Sequence, residues 1–507
     1  MSRIDNTIKN TKYAVLGQIL VMFAIFFNRM IFVKTLDIKY LGLNGLFTNI
    51  VSVLSFAELG IGSAIIFSLY KPLAEKNNEK VKTLMRIYKK AYIYIGIFIT
   101  LSGFIILPFI GFFIKGSVTD IKNLNLIFIL FILSSTISYF YSYKRSLIMA
   151  DQKGYIDSFY KYTFNIILNI FQILFLVWTK DFIIYLILKI VFVYLENLII
   201  TKKINKMYPY LLEKTTQKLD LNEKKNLIKN IKALVLHKVG SIVVLSTDNL
   251  LLSKFVGLAT VGIYSNYMLI INSLNTIFSL FFQSIVASAG NLRVTEEESK
   301  NKFIFECIDL ICFWIYSFAS ISLIILVNPF INLWFGENYT FSFNIVFILV
   351  LNFYIMGMRK SVQSFKEAYG LFWQDRFKPL FEATINLIAS IILVKEYGTL
   401  GIFMGTLIST ISTSFWIEPY ILYKYGFRKS SFNYFFNYII KFCLAFLIGL
   451  VTYLISNLFS GQTLTSFIFK IFICMSVPNI LLFLLVFNTP EFKYLAKVLK
   501  LKFTKSS

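Results

Sequence analysis

Residues 41–69, LGLNGLFTNIVSVLSFAELGIGSAIIFSL, carry one charged side chain, Glu58, in an otherwise apolar or neutral run. A helix needs about 20 mostly apolar residues to cross the hydrocarbon of a bilayer, so this stretch predicts a membrane span. It is not uniformly apolar. Asn44, Thr48, Ser52, Ser55, Glu58 and Gly62 recur at steps of three and four, and on one continuous helix they would share a face. A polar stripe along a span faces other helices or a water-filled cavity, because lipid offers it no partners.

The composition extends this reading to the whole chain. Hydrophobic residues make up 57% of 507, charged residues only 15%, and the mean hydropathy is +0.70. A soluble domain is about 45–50% apolar, so the bilayer is the expected solvent. The net charge of +25 lies in short loops between apolar runs. A nucleic-acid binder would gather it on one polar domain, so we expect no nucleic-acid partner. Four cysteines (Cys307, Cys312, Cys443, Cys474) fall in apolar runs without metal-ligand spacing. His237 is the only histidine, which argues against histidine-based metal sites and catalytic triads. No catalytic residue, metal or cofactor is expected. No cleavable signal peptide is visible, since the polar start precedes an apolar run long enough to span.

Apolar runs separated by charged breaks predict an all-α integral membrane protein of about fourteen helices. They lie near 13–33, 41–69, 91–114, 123–147, 157–179, 182–201, 233–254, 260–289, 303–328, 341–358, 379–395, 400–423, 434–457 and 465–487. The limits are least defined around 359–378, where Arg359, Lys360, Lys366, Arg376 and Lys378 cluster. Cytoplasmic loops should hold the Lys and Arg excess. Loops 71–90 and 202–230 and the tail after 488 are rich in Lys, whereas 329–340 and 458–464 are poor in basic residues. That alternation puts both termini in the cytoplasm.

Comparing the chain with itself gives a weak repeat. Segment 28–47 aligns with 248–267, so that Lys34 meets Lys254 and Gly42 meets Gly262. The same offset carries Ser52 and Ser55 onto Asn272 and Asn275. We therefore expect two parallel six-helix bundles, 1–201 and 233–423. A cytoplasmic linker, 202–232, joins them, and 424–507 adds two helices and a basic tail.

Other spans carry polar positions too. Arg29 shares a face of the first helix with Gln18. Arg145 follows Ser134 and Ser138 on the fourth, and Lys161 precedes Asn165, Asn169 and Gln172 on the fifth. Lys189 sits near the middle of the sixth, with Glu196 two turns on. Lys238 and Asp248 lie on the seventh with His237 and Ser241, and Asn272, Asn275, Ser279 and Gln283 stripe the eighth. A cation at a helix centre costs about 2.5–3.5 kcal/mol on insertion scales, so its retention asks for a reason. Snorkelling to headgroups is one for Arg29, Arg145, Lys161 and Lys238. A structural ion pair is one for Lys189, and interhelical hydrogen bonding for Glu58 and Asp248. The other is a cationic lumen between the two bundles that attracts an anionic amphiphile. On that reading the substrate-binding set is Arg29, Ser52, Ser55, Arg145, Lys161, Lys189, Lys238, Asn272, Asn275 and Gln283.

The stretch 40–92 resembles the start of the Wzx-type polysaccharide flippases, the polysaccharide transporters of the multidrug/oligosaccharidyl-lipid/polysaccharide superfamily. The likeness rests on LGLNGLFTNI, then AELGIGSAI, then SLYKPLAE, in that order after one apolar helix. KRSLIMADQKGYI (144–156), which contains Arg145, and the stretch 368–409 resemble later family segments. The resemblance implies two six-helix bundles around a central cavity, plus two further helices. It also implies flipping of undecaprenyl-diphosphate-linked oligosaccharide across the bacterial cytoplasmic membrane by alternating access, for exopolysaccharide or O-antigen synthesis. The implied partners are an anionic lipid-linked oligosaccharide, membrane lipids and the polysaccharide polymerase machinery. A polar lumen suits that task, because each desolvated sugar hydroxyl without a partner costs several kcal/mol. The alternative is an ion-coupled multidrug or metabolite exporter of the same superfamily, with Glu58 and Asp248 as coupling carboxylates.

Overall fold

The computed structural model describes residues 3–58, 61–116, 121–213, 217, 219–220, 246–295, 297–371, 373–459, 461 and 463–506. Among these the chain is helical throughout, with no strand, and ten helices are long and apolar enough to cross a membrane. In chain order the helices are α1 (Arg3–Thr35), α2 (Ile38–Leu54), α3 (Ile61–Ala74), α4 (Asn78–Ile106), α5 (Leu124–Ala150), α6 (Gly154–Thr179) and α7 (Phe182–Met207). There follow α8 (Leu258–Thr295), α9 (Glu298–Phe335), α10 (Phe343–Ala368), α11 (Lys378–Tyr397), α12 (Thr399–Ser412) and α13 (Ser414–Ile421). The last three are α14 (Phe432–Ser456), α15 (Leu464–Val486) and α16 (Pro490–Ser506). Most of the seventh expected span, 233–254, lies outside the described residues, although 246–251 are helical and run into a π-turn, Leu252–Val256.

The second expected span is not one helix. α2 stops at Leu54, a 3₁₀ turn covers Ser55–Glu58, and α3 begins at Ile61. Ser52 and Ser55 donate to the carbonyls of Thr48 (2.7 Å) and Val51 (2.8 Å). Such back-bonding competes with the helical ladder and bends it. The polar residues from Asn44 to Gly62 therefore do not form one straight face. The twelfth span breaks in the same way. Thr413 leaves the helical region between α12 and α13, its hydroxyl donating to Ser409 O at 2.5 Å.

The tenth span is longer than the apolar run. α10 continues to Ala368 through Arg359, Lys360 and Lys366, because two of those charges are met by carboxylates. Arg359 pairs with Glu418, and Lys366 with Asp375. α9, at 38 residues, is about 57 Å long, well beyond the hydrocarbon thickness.

The chain divides into two compact units, Met1–Ser265 and Asn266–Ser507, and the division falls within α8. In the first unit α1 packs on α6, α5 packs on α4 and α7, and α6 on α7. Leu16, Leu20, Phe23 and Phe27 form an exposed stripe along α1 at helical spacing, as expected of a surface solvated by lipid tails. The first unit also contains a close helix crossing. An added Cβ on Gly42 would lie 2.0 Å from Leu258 O, and one on Gly262 would lie 2.9 Å from Ile38 O and 3.3 Å from Gly42 N. The two repeat-related glycines meet each other. In the second unit α11 and α12 form a tight hairpin, with Gly405 against Ser390. Small residues let backbones approach in this way where lipid supplies no hydrophobic drive.

Candidate functional site

The site is built from the first unit, on α1, α6 and α7. Asn28 is buried and donates from Nδ2 to Gln172 Oε1 at 3.0 Å. Tyr185 Oη donates to Asn28 Oδ1 at 3.1 Å, and Gln172 Nε2 donates to Tyr185 O at 3.1 Å. One residue beyond Asn28, Arg29 donates from Nη1 to Ser265 Oγ at 3.1 Å. One turn beyond Tyr185 on the same face of α7, Lys189 lies 5.3 Å above the ring of Phe131. No carboxylate among the described residues forms an ion pair with Arg29 or Lys189, so both charges are compensated only by a hydroxyl and a ring face.

Arg145 is handled in the opposite way. Its Nη1 donates to Asp157 Oδ1 (2.9 Å), and its Nη2 to Glu196 Oε1 (2.6 Å) and Asn197 Oδ1 (3.0 Å). One guanidinium thus joins α5, α6 and α7 and faces two carboxylates, so it serves as a clamp between helices. The sequence alone shows Arg145 and Glu196. Asp157 enters only because the short α5–α6 turn brings it back beside Arg145. That turn is held by Asp151, which accepts from Tyr208 Oη at 2.5 Å and pairs with Lys153 at 2.6 Å. Burial, with the Asp151 carboxylate adding to it, pushes the Tyr208 phenol well above its ordinary pKa.

The other expected site residues fall as follows. Lys161 is exposed, 5.9 Å from the ring of Tyr162. Ser52 is exposed, and Ser55 half-buried. Glu58 is half-buried and accepts from Tyr92 Oη at 3.2 Å. Asp248 is buried. In the second unit Asn272 is exposed and Asn275 half-buried, both on α8. Lys238 and the side chain of Gln283 lie outside the described residues.

The second unit holds a buried ionic cluster that reading the sequence did not assemble. Arg359 binds Glu418 bidentately (Nε to Oε2 3.0 Å, Nη2 to Oε1 2.9 Å), Lys378 also pairs with Glu418, and Glu382 lies 3.8 Å from Arg359 Nη1. Glu382 also accepts from Ser414 at 2.6 Å. Asp309 accepts from Ser361 (2.7 Å) and pairs with Lys441 (2.5 Å). The signal in the sequence is Glu418 and Glu382 within apolar spans, where an isolated carboxylate would be costly. An apolar cleft of about 380 Å³ opens between α9, α10 and α14, lined by Ile321, Phe347, Leu351, Phe446 and Tyr453 among others. Among the described residues no cluster of His, Cys, Asp and Glu has the makings of a metal site.

No protein-family model and no curated protein matches the sequence. Solved structures do. A lipid II flippase, MurJ, in an inward closed conformation matches at a TM-score of 0.65 and 16% identity, over 94% of this chain and 98% of that one. The Vibrio cholerae MATE transporter VcmN, in a mutant form, matches at 0.57 and 13%, over 82% of this chain and 96% of that one. An inward-facing multidrug resistance MATE transporter of the MOP superfamily matches at 0.58 and 14%, over 80% of this chain and 94% of that one. At these identities the likeness establishes the fold: this chain is folded as a multi-pass helical membrane protein of the kind those structures share.

Proposed function

We propose that the protein is a Wzx-type flippase, moving a lipid-linked oligosaccharide across the bacterial cytoplasmic membrane by alternating access, with both termini in the cytoplasm. The observation that carries this reading is the contrast among cations. Arg145, Arg359, Lys366 and Lys378 are each met by a carboxylate, while Arg29 and Lys189 are not, among the described residues. Uncompensated charge within spans is costly and tends to mark a substrate path. Two cations left open within spans of the first unit suit an anionic, phosphate-bearing substrate, which supplies the missing negative charge when bound. The hydroxyls of Ser52 and Ser55, in the same unit, suit a sugar.

The match to the solved lipid II flippase covers 94% of this chain, and the matches to the two MATE transporters 80–82%, which favours a flippase over a drug exporter. Division into bundles 1–201 and 233–423 is part of this reading, as is assignment of Glu58 and Asp248 to ion coupling. The test is a deletion strain. Loss of the gene should leave lipid-linked oligosaccharide on the inner leaflet, and Arg29→Ala and Lys189→Ala should fail to clear it. Clearance by both variants at wild-type expression would remove these cations from the site. No accumulation on deletion would remove the function.

A further inference from the structure

We propose that a pocket between the end of α9 and the start of α15 binds the zwitterionic phosphate–amine headgroup of a membrane phospholipid. The pocket has a volume of about 290 Å³ and is lined by Asn328, Asn332, Glu337, Thr340, Thr463, Lys470 and apolar neighbours that include Phe467. Sites that enclose drug-sized ligands run about 300–1,000 Å³, so this one accepts a single headgroup and not a saccharide repeat.

Two opposite charges decide the ligand class. Lys470 lies on the second turn of α15, about 9 Å along the axis from its start, towards one end of a helix long and apolar enough to cross a membrane. It forms no ion pair among the described residues. Glu337, on the 3₁₀ turn Glu337–Tyr339, forms none either. Both line one cavity without reaching each other. A snorkelling lysine needs only the headgroup zone and does not need a carboxylate across a formed pocket. A ligand that carries a phosphate and an ammonium a few bonds apart satisfies both charges at once, whereas an anionic phosphoglycerol leaves Glu337 facing a hydroxyl.

The pocket is preformed. Asn328 is fixed at both ends of its amide, donating to Phe341 O at 2.9 Å and accepting from Tyr267 Oη at 2.5 Å. Tyr267 Oη in turn accepts from Phe341 N at 2.7 Å. Phe467 packs on Phe330 (6.2 Å), which stacks on Trp334 (5.4 Å), closing the apolar side. A preformed site loses little entropy on binding. This inference rests on the membrane location alone and is independent of what the protein transports.

The experiment is native mass spectrometry of the delipidated full-length protein, titrated separately with phosphatidylethanolamine and phosphatidylglycerol. The wild type should retain phosphatidylethanolamine in preference. Lys470→Gln should weaken that retention about tenfold, as loss of one charge-assisted contact implies, and Lys470→Arg should keep it. Glu337→Gln should erase the preference for the amine lipid while leaving phosphatidylglycerol binding intact. Lys493→Gln, on α16, should change nothing. Unchanged melting temperatures would show that the variants are folded. Equal retention of the two lipids by the wild type, or undiminished retention by Lys470→Gln and Glu337→Gln, would overturn the proposal. Displacement of the lipid by equimolar soluble phosphoethanolamine would overturn its assignment to a lipid.

Discussion

Replacing Gly42 by alanine tests the helix crossing at which the repeat-related glycines meet. The new Cβ would stand 2.0 Å from Leu258 O and 2.7 Å from Leu258 C. To restore ordinary contact, the start of α8 must move away from α2 by roughly 1.4 Å. The obstacle is backbone, so no rotamer change relieves it. Overpacking costs about 1–3 kcal/mol, and this site belongs at the upper end. Gly262→Ala, with a nearest backbone approach of 2.9 Å, should cost less. Gly449→Ala, whose Cβ would meet Ile321 Cγ1 at 3.4 Å, should cost almost nothing. Thermal unfolding of the three variants in one detergent should therefore rank Gly42→Ala below Gly262→Ala below Gly449→Ala. A Gly42→Ala midpoint equal to that of the wild type would refute the close crossing and the argument drawn from it.

Removing one partner from a buried ion pair leaves the others uncompensated, at about 3–5 kcal/mol. Arg145→Met, at a part-buried cluster, should destabilise the protein by less than that range, with Asp157 and Glu196 left without their cation, and the triple variant with Asp157→Asn and Glu196→Gln should recover most of the loss on melting. Glu418→Gln should lower the melting temperature for the same reason, since Arg359 and Lys378 both lean on it. Lys189→Met should behave differently, with thermal stability held or raised because a desolvated cation is gone, and clearance of lipid-linked sugar lost. Gln172→Leu should cost about 1–3 kcal/mol by leaving Asn28 Nδ2 without its acceptor, read as a lower unfolding midpoint.

The spans were legible in the sequence because the membrane imposes a simple condition. Long apolar runs must be helical and must hold their own hydrogen bonds, whatever they pack against. Helix breaks were harder to see. The breaks near Ser55 and at Thr413 lie inside candidate spans at points where Ser and Thr gather, and they depend on which carbonyl a hydroxyl takes. α10 outruns its apolar segment because Glu418 and Asp375, which lie outside that helix, neutralise Arg359 and Lys366. Sequence spacing alone also cannot separate a cation that clamps helices from one left open. Arg145 and Lys189 both read as charges within apolar helices.

What the amino-acid sequence determined by itself is therefore the solvent, the helical class and the positions at which polar groups enter the spans, since these depend on local transfer energies. What only the tertiary structure decided is which charges are already paired. An ion pair is worth its cost only at a distance of a few ångströms. Packing sets that distance between residues far apart in the chain, 59 positions for Arg359 and Glu418 and 132 for Asp309 and Lys441.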